Sequence, residues 1–321
     1  MNWASPTVRT LVLAAALVAV LAVLPQFLSL YWLRIATGAL MLAVVAQGIN
    51  LMAGMLGYPA FGNVVFFGIG AYGTTISMAS HGQSLAVGLL AGALAAAVLA
   101  LLMGPLLLRL RGHYFAIATL GLNEATSAVV ANLTGLTGGG TGMSLPLAQG
   151  DAAAIAHASY FRFVLLFAAS LAVVVALRDS RFGLACRAIR ANEEAAASAG
   201  VDALRVKTAT WIMSAAMTAV AGGLYARWVG FIEPTLVFDM SISVKAFVMF
   251  LLGGAGTVFG PFVGAALIET ITTLAWSHLL KVHLLVLGAA IMFVVLVLPN
   301  GLQAFVLDRL RLMRLWRREA S

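Results

Sequence analysis

Apolar runs of span length, one after another along nearly the whole chain, restrict this sequence more than any other feature. A helix needs about 20 apolar residues to cross a bilayer, and backbone in lipid must satisfy its own hydrogen bonds. Candidate spans fall at 10–30, 33–55, 60–79, 84–108, 113–132, 160–178, 207–230, 241–259, 261–279 and 283–300. The expected fold is therefore all-α: a polytopic membrane protein of about ten helices, forming a single domain over 1–321. Only 9% of the residues are charged, against about 25% in soluble domains. Arg9 followed by an apolar run imitates a signal peptide, but no A-x-A-like site follows, so the run is read as the first span.

One stretch breaks the pattern. Residues 178–207, RDSRFGLACRAIRANEEAAASAGVDALRVK, hold six of the nineteen basic residues and four of the eleven acidic ones. The stretch predicts a short exposed helix at 193–199. Asn192 suits the N-cap, Glu193 and Glu194 place negative charge in the first turn, and Gly200 before apolar Val201 suits a left-handed close. If ten spans are right, Arg9, Arg109, Arg111, this island and the basic tail at 301–321 all fall on one side. That side is expected to be the cytoplasm, with both termini in it. The net charge of +8 is thus read as a topology signal for a chain in a lipid bilayer, with no nucleic-acid partner. The single Cys186 forms no intrachain disulfide, which fits a reducing compartment. Ten spans divided five and five have opposite orientations, the arrangement of an inverted repeat. The Gly-rich stretches 61–73 and 253–264 are its candidate counterparts.

Glycines at four-residue spacing (Gly88 and Gly92; Gly256, Gly260 and Gly264) predict close helix packing. The run 133–146, LTGLTGGGTGMSLP, cannot form a stable span and is read as an external turn or a re-entrant break. Chemistry is hard to find. Gly68, Gly70 and Gly73 satisfy G-x-G-x-x-G, but the first acidic residue of the chain is Glu124, so the acidic partner of a dinucleotide site is missing. All three lysines follow an apolar residue, which excludes a P-loop. The histidines are scattered, and no metal site or catalytic residue is expected. Glu124 in the fifth run and Glu269 in the ninth are intramembrane carboxylates, which mark a pathway or a buried pair. Asp239 and Lys245 flank the start of the eighth run as a candidate pair, and Glu233 precedes it.

Within the island, Glu194-Ala195-Ala196-Ala197-Ser198-Ala199-Gly200 reads E-A-A-x-x-x-G and resembles the cytoplasmic coupling motif of ABC importer membrane subunits. Four longer stretches (57–73, 109–143, 180–201 and 221–267) are similar, in order, to branched-chain amino-acid permeases of the LivM type. The resemblance implies a type II ABC importer-like fold without an ATPase site of its own, in a bacterial inner membrane. It implies four kinds of partner: a homologous LivH-type permease, two cytoplasmic ATPases of the LivG and LivF type, and a periplasmic binding protein. ATP and magnesium would be bound by the ATPases, with no cofactor on this chain. Arg187, Arg190, Glu193, Glu194, Ala195, Ala196 and Gly200 would then couple to the ATPases. Asn63, Phe66, Thr119, Asn123, Glu124, Thr137, Gly138 and Gly139 are the candidate translocation path. Two departures bear on the solute. Ala125-Thr126-Ser127 stands where the family usually carries an Arg after the Glu of T-L-G-x-x-E, and Gly140-Thr141 replaces a polar pair. Urea, amides and aromatic acids, carried by relatives, therefore stay beside leucine, isoleucine and valine. A stand-alone ion-coupled carrier using Glu124 or Glu269 is the alternative of another class.

Overall fold

The computed structural model describes residues 6–146 and 150–278. The expected span at 283–300 and the tail at 301–321 lie outside the described residues. The chain runs as α1 (Pro6–Val23) with a 3-10 turn at Leu24–Gln26, then α2 (Leu30–Ile49), which continues into a π-helical turn at Asn50–Met55. A link with a 3-10 turn at Phe61–Asn63 leads to α3 (Val64–His81), followed by α4 (Leu85–Leu107) and α5 (His113–Asn132). A short α6 (Thr134–Thr137), a 3-10 turn at Gly139–Thr141 and β1 (Met143–Ser144) precede the long α7 (Ala152–Arg178). The island forms α8 (Arg181–Ala191) and α9 (Glu193–Ser198). Then come α10 (Ala203–Val229), β2 (Phe231–Ile232), α11 (Pro234–Val237), α12 (Met240–Gly253) and α13 (Gly260–His278).

Six helical segments are long and apolar enough to cross a membrane: Val8–Gln26, Leu30–Met55, Leu85–Leu107, Ala152–Arg178, Ala203–Val229 and Pro234–Gly253. Helices α3, α5 and α13 have 18, 20 and 19 residues and are not among these six. The all-α polytopic expectation therefore holds for the described residues. Helix α2 is the axis of the bundle, with 89% of its apolar window buried, whereas the windows of α1 and α4 are 17% and 22% buried. Helices apolar all round with so little protein cover are built to face lipid. Helices α3 and α4 pack on α10, while α12 and α13 pack on α2.

Small residues set these distances. A Cβ on Gly92 of α4 would meet the carbonyl oxygen of Gly70 at 2.7 Å, so α3 and α4 cross nearly backbone to backbone. The Gly88/Gly92 ridge is thus as expected. The ridge at 256–264 holds at Gly264, which is pressed against the Met249 carbonyl of α12, and is corrected at Gly256. Gly256 has φ +77° and sits in a turn, and it is Gly253 that lies against the Gly260 carbonyl. The same turn explains why α12 stops at 253 although the apolar run continues to 259. Gly254 and Gly256 take positive φ, where the chain leaves the helix. Helix α7 starts eight residues earlier than its apolar run, because Asp151 Oδ1 accepts from the N–H of Ala152 and caps it.

The run 133–146 forms an ordered cap. Its β1 pairs antiparallel with β2 (Met143 with Ile232, Ser144 with Phe231), joining the far ends of α5 and α10. The Leu145 N–H donates to the Gly230 carbonyl at 2.9 Å, and Arg227 Nη1 donates to the Pro146 carbonyl at 2.8 Å.

Candidate functional site

Helix α9 is closed at both ends by local chemistry. Asn192 Oδ1 accepts from the N–H groups of Glu194 and Ala195 at 3.0 and 3.1 Å. Gly200 adopts φ +87°, while its N–H donates to the Ala197 carbonyl and that of Val201 to the Ala196 carbonyl. Both caps fall where the sequence puts them, and together they let six residues hold helical form. Ala196 is buried, whereas Glu194, Ala195, Ala197 and Ser198 are exposed.

The two glutamates of the first turn point in different directions. Glu194 faces out, with Arg111 Nη1 at 3.7 Å, an exposed pair of small worth. Glu193 turns inward. Its Oε1 pairs with Lys207 Nζ, its Oε2 accepts from the Tyr58 hydroxyl at 2.8 Å, and Arg111 Nε lies 3.5 Å from it. Lys207 is only 3% exposed, and also donates to the Tyr58 hydroxyl at 2.6 Å and towards the Leu108 carbonyl at 3.4 Å. Burial by itself raises the Glu193 carboxyl. Hydrogen bonds from Lys207 and Tyr58, with the charges of Lys207 and Arg111, outweigh it and hold the group below the ordinary carboxylate range. The Tyr58 phenol is pushed up from its ordinary value, first by burial and then by Glu193.

Tyr58, Lys207 and Arg111 were not among the expected coupling residues. The available signal was Lys207 itself, the first of only three lysines, standing at the mouth of a long apolar run. Arg187 and Arg190 are exposed, and each bonds a nearby backbone carbonyl. Arg187 Nη1 donates to the Arg178 carbonyl at 2.8 Å, and Arg190 Nη1 donates to the Gly54 carbonyl at the end of α2. With Arg178, Asn50 and Gly256 they line a cavity of about 200 Å³.

The expected path residues separate into three groups. Asn63, Phe66, Thr119 and Asn123 are buried and knit the interior. Asn63 Nδ2 donates to Thr218 Oγ1 at 2.8 Å, and its Oδ1 accepts from Ser214 Oγ at 3.2 Å. Phe66 packs edge-on to Trp211 at 5.7 Å. Thr119 Oγ1 accepts from the Gly62 N–H at 3.1 Å, and Asn123 Nδ2 donates to the Phe238 carbonyl at 2.9 Å. Thr137, Gly138 and Gly139 belong to the cap over α5. Thr137 Oγ1 lies 2.7 Å from the Val130 carbonyl and accepts from the Gly139 N–H, while both glycines have positive φ.

Glu124 stands apart from both groups, on the exposed face of α5 with Tyr114, Ile117 and Gly121. Glu269 of α13 sits against Gly38 of α2, whose added Cβ would lie 3.2 Å from its Oε1. Asp239 caps α12 through the Ser241 N–H at 2.8 Å, and among the described residues no ion pair joins it to Lys245. Glu233 Oε1 accepts from Thr235. Among the described residues no group of three His, Cys, Asp or Glu could hold a metal ion.

A family model described as the permease component of a branched-chain amino acid transport system matches residues 31–296. The high-affinity branched-chain amino acid transport system permease protein LivM of Escherichia coli (strain K12) is 29% identical over 336 aligned positions, covering 95% of this chain and 78% of that protein. Its counterpart in Salmonella typhimurium (strain LT2) is 30% identical with the same coverage. The permease protein LivH of E. coli K12 is 30% identical over 187 positions, 55% of this chain and 60% of that one. No solved structure matches the chain. A multi-pass bundle matched over most of its length in this way belongs to the family of permease components of branched-chain amino acid transport systems.

Proposed function

We propose that this chain is the LivM-type membrane subunit of an ATP-driven importer for leucine, isoleucine and valine. The observation that carries the reading is α9: a helix of six residues, capped at both ends, with Glu194, Ala195, Ala197 and Ser198 turned to solvent. Such a helix gains little by folding alone, and its form suits insertion into a groove on another protein. The groove would belong to two cytoplasmic ATPases of the LivG and LivF type, which bind ATP and magnesium while this chain holds neither. A periplasmic binding protein delivers the solute. The LivM relatives and the LivH likeness favour branched-chain substrates. None of the relatives reported above is named for urea, amides or aromatic acids.

Glu124 supports a second permease of the LivH type. A carboxylate on the open face of a span is costly against lipid, so that face of α5 is suited to a partner subunit or to water in a path between them. Polarity supports the inner membrane with the island cytoplasmic, since residues 178–207 hold six of the nineteen basic residues.

The five-and-five inverted repeat is supported by the packing exchange. Helices α3 and α4 lie on α10, and α12 and α13 lie on α2. Each long axis helix, α2 or α10, is followed by a link, one short helical turn and a further span. In that correspondence 61–73 matches the chain around 234–246, so the Gly-rich stretch 253–264 is not its counterpart.

The test is reconstitution of the chain with a second permease, its ATPases and binding protein in proteoliposomes. ATP-dependent leucine uptake that requires all components is expected. Uptake by this chain alone under an ion gradient without ATP would overturn the reading in favour of an ion-coupled carrier.

A further inference from the structure

We infer that Lys207 is the positioning residue that ties the docking helix to the centre of the bundle, through the Glu193 carboxylate on one side and the Tyr58 hydroxyl on the other. The inference rests on the reading of α9 as the docking helix and deepens it.

Three observations carry it. First, the ammonium of Lys207 meets oxygens from three separate segments: Glu193 of α9, Tyr58 of the link between α2 and α3, and Leu108 at the end of α4. All three donors of a lysine are thereby engaged, in a site where the residue is 3% exposed. A buried charge that loses one partner is strongly unfavourable. A push on α9 is therefore met more cheaply by moving the cluster together than by pulling Glu193 away.

Second, the link that begins at Tyr58 ends in the interior with a run of polar ties. The Gly62 N–H donates to Thr119 Oγ1 of α5, Asn63 bonds Thr218 and Ser214 of α10, and the Val64 N–H donates to Ser243 Oγ of α12 at 3.0 Å. Residues 58–64 thus connect the island end to the place where α5, α10 and α12 converge. Third, among the described residues the outward Glu194 makes no comparable contact: its one ion pair there is with an exposed Arg111. The inward glutamate does the tying and the outward one stays free for a partner.

The experiment uses the full complex in proteoliposomes and reads two quantities from one preparation, ATP hydrolysed and leucine taken up. In Lys207→Met the complex is expected to assemble and hydrolyse ATP, with uptake per ATP reduced by about ten-fold, the scale of a lost coupling interaction. Glu193→Gln should behave alike, and the double variant should fall no further than either single one, as for two ends of one link. A merely structural role would lower assembly, hydrolysis and uptake in step, leaving the ratio unchanged. That result overturns the inference, as do single effects that multiply in the double variant. Should Lys207→Met fail to assemble, Tyr58→Phe removes a single hydroxyl and carries the same test. A several-fold drop in uptake per ATP is expected there, and an unchanged ratio overturns the inference. Wild-type complex without ATP-driven uptake would instead sink the importer reading, and that failure is visible before any variant is made.

Discussion

Gly70 of α3 lies so close to the carbonyl of Ala219 on α10 that a methyl group at position 70 would overlap that oxygen. The relation is reciprocal, since Gly222 of α10 is pressed in the same way against the Phe67 carbonyl. Gly70→Val should therefore force α3 and α10 apart. A destabilisation of about 1–3 kcal/mol or more is expected from overpacking, read as a lowered thermal midpoint of the detergent-solubilised chain. Gly121→Ala is the control: no heavy atom lies within 4 Å of its added Cβ, and its midpoint should equal or exceed that of the native chain, because alanine favours a helix interior over glycine.

Loss of the N-cap should loosen α9 without disturbing the spans. Asn192→Ala removes the acceptor of two backbone N–H groups and should cost about 1 kcal/mol locally. Faster amide exchange confined to residues 193–199 is the expected signature. Exchange that rises throughout α10 as well would contradict a local cap.

The Glu193 carboxyl makes stability depend on pH in a definite direction. Its value in the folded chain lies below that of the unfolded chain, where a glutamate titrates near about 4.3. The native state therefore gains from Glu193 fully above that value, and the gain is lost as pH falls through the lower folded value. The native chain should exceed Glu193→Gln in thermal midpoint at pH 7. The difference should shrink towards zero in acid, and a constant difference would show that charge plays no part.

Cys186 should resist reagents while the chain is folded. It is fully buried in α8 beside Thr210, and burial pushes its thiol up from the ordinary value. Little thiolate is then available at neutral pH. Maleimide labelling, followed by mass spectrometry, should be slow in the native chain and rapid after denaturation. Rapid labelling of the folded protein would place the island differently.

Glu124 should matter to uptake and not to insertion. Replacing it by leucine removes a mid-span charge with an insertion cost of roughly 2.5–3.5 kcal/mol, so membrane levels should be equal or higher. Uptake by the complex should nevertheless fall by about ten-fold if this face meets the partner or the path. Unchanged uptake per membrane-inserted molecule would make it a lipid-facing residue.

What could be read in the sequence was what local rules control. Helix α5 occupies 113–132 as expected. The caps at Asn192 and Gly200 sit at the ends of α9, because capping depends only on near neighbours. The early end of α12 was hidden, since run length does not register that Gly254 and Gly256 take positive φ. The inward turn of Glu193 was hidden for another reason. Its partner Tyr58 is 135 residues away in sequence, and Lys207 is 149 from Tyr58, so only the packed bundle brings the three together. The partners of the candidate path were hidden in the same way: in the bundle Asn63 bonds Thr218 and Ser214, and Thr119 bonds Gly62, each far away in sequence.

The ribbon of β1 and β2 has a mechanical consequence. It pairs the segment that follows α5 with the residues directly after α10, at the end opposite the island, so that end of α10 is tied to the cap at 133–146. Helix α10 has 27 residues, a rod of about 40 Å at 1.5 Å per residue. Held at the ribbon and pushed near Lys207, such a rod would act as a lever with its fulcrum at the far end. A shift of about 2 Å at the driven end is then a tilt of about 3°, felt as roughly 1 Å half-way along the rod.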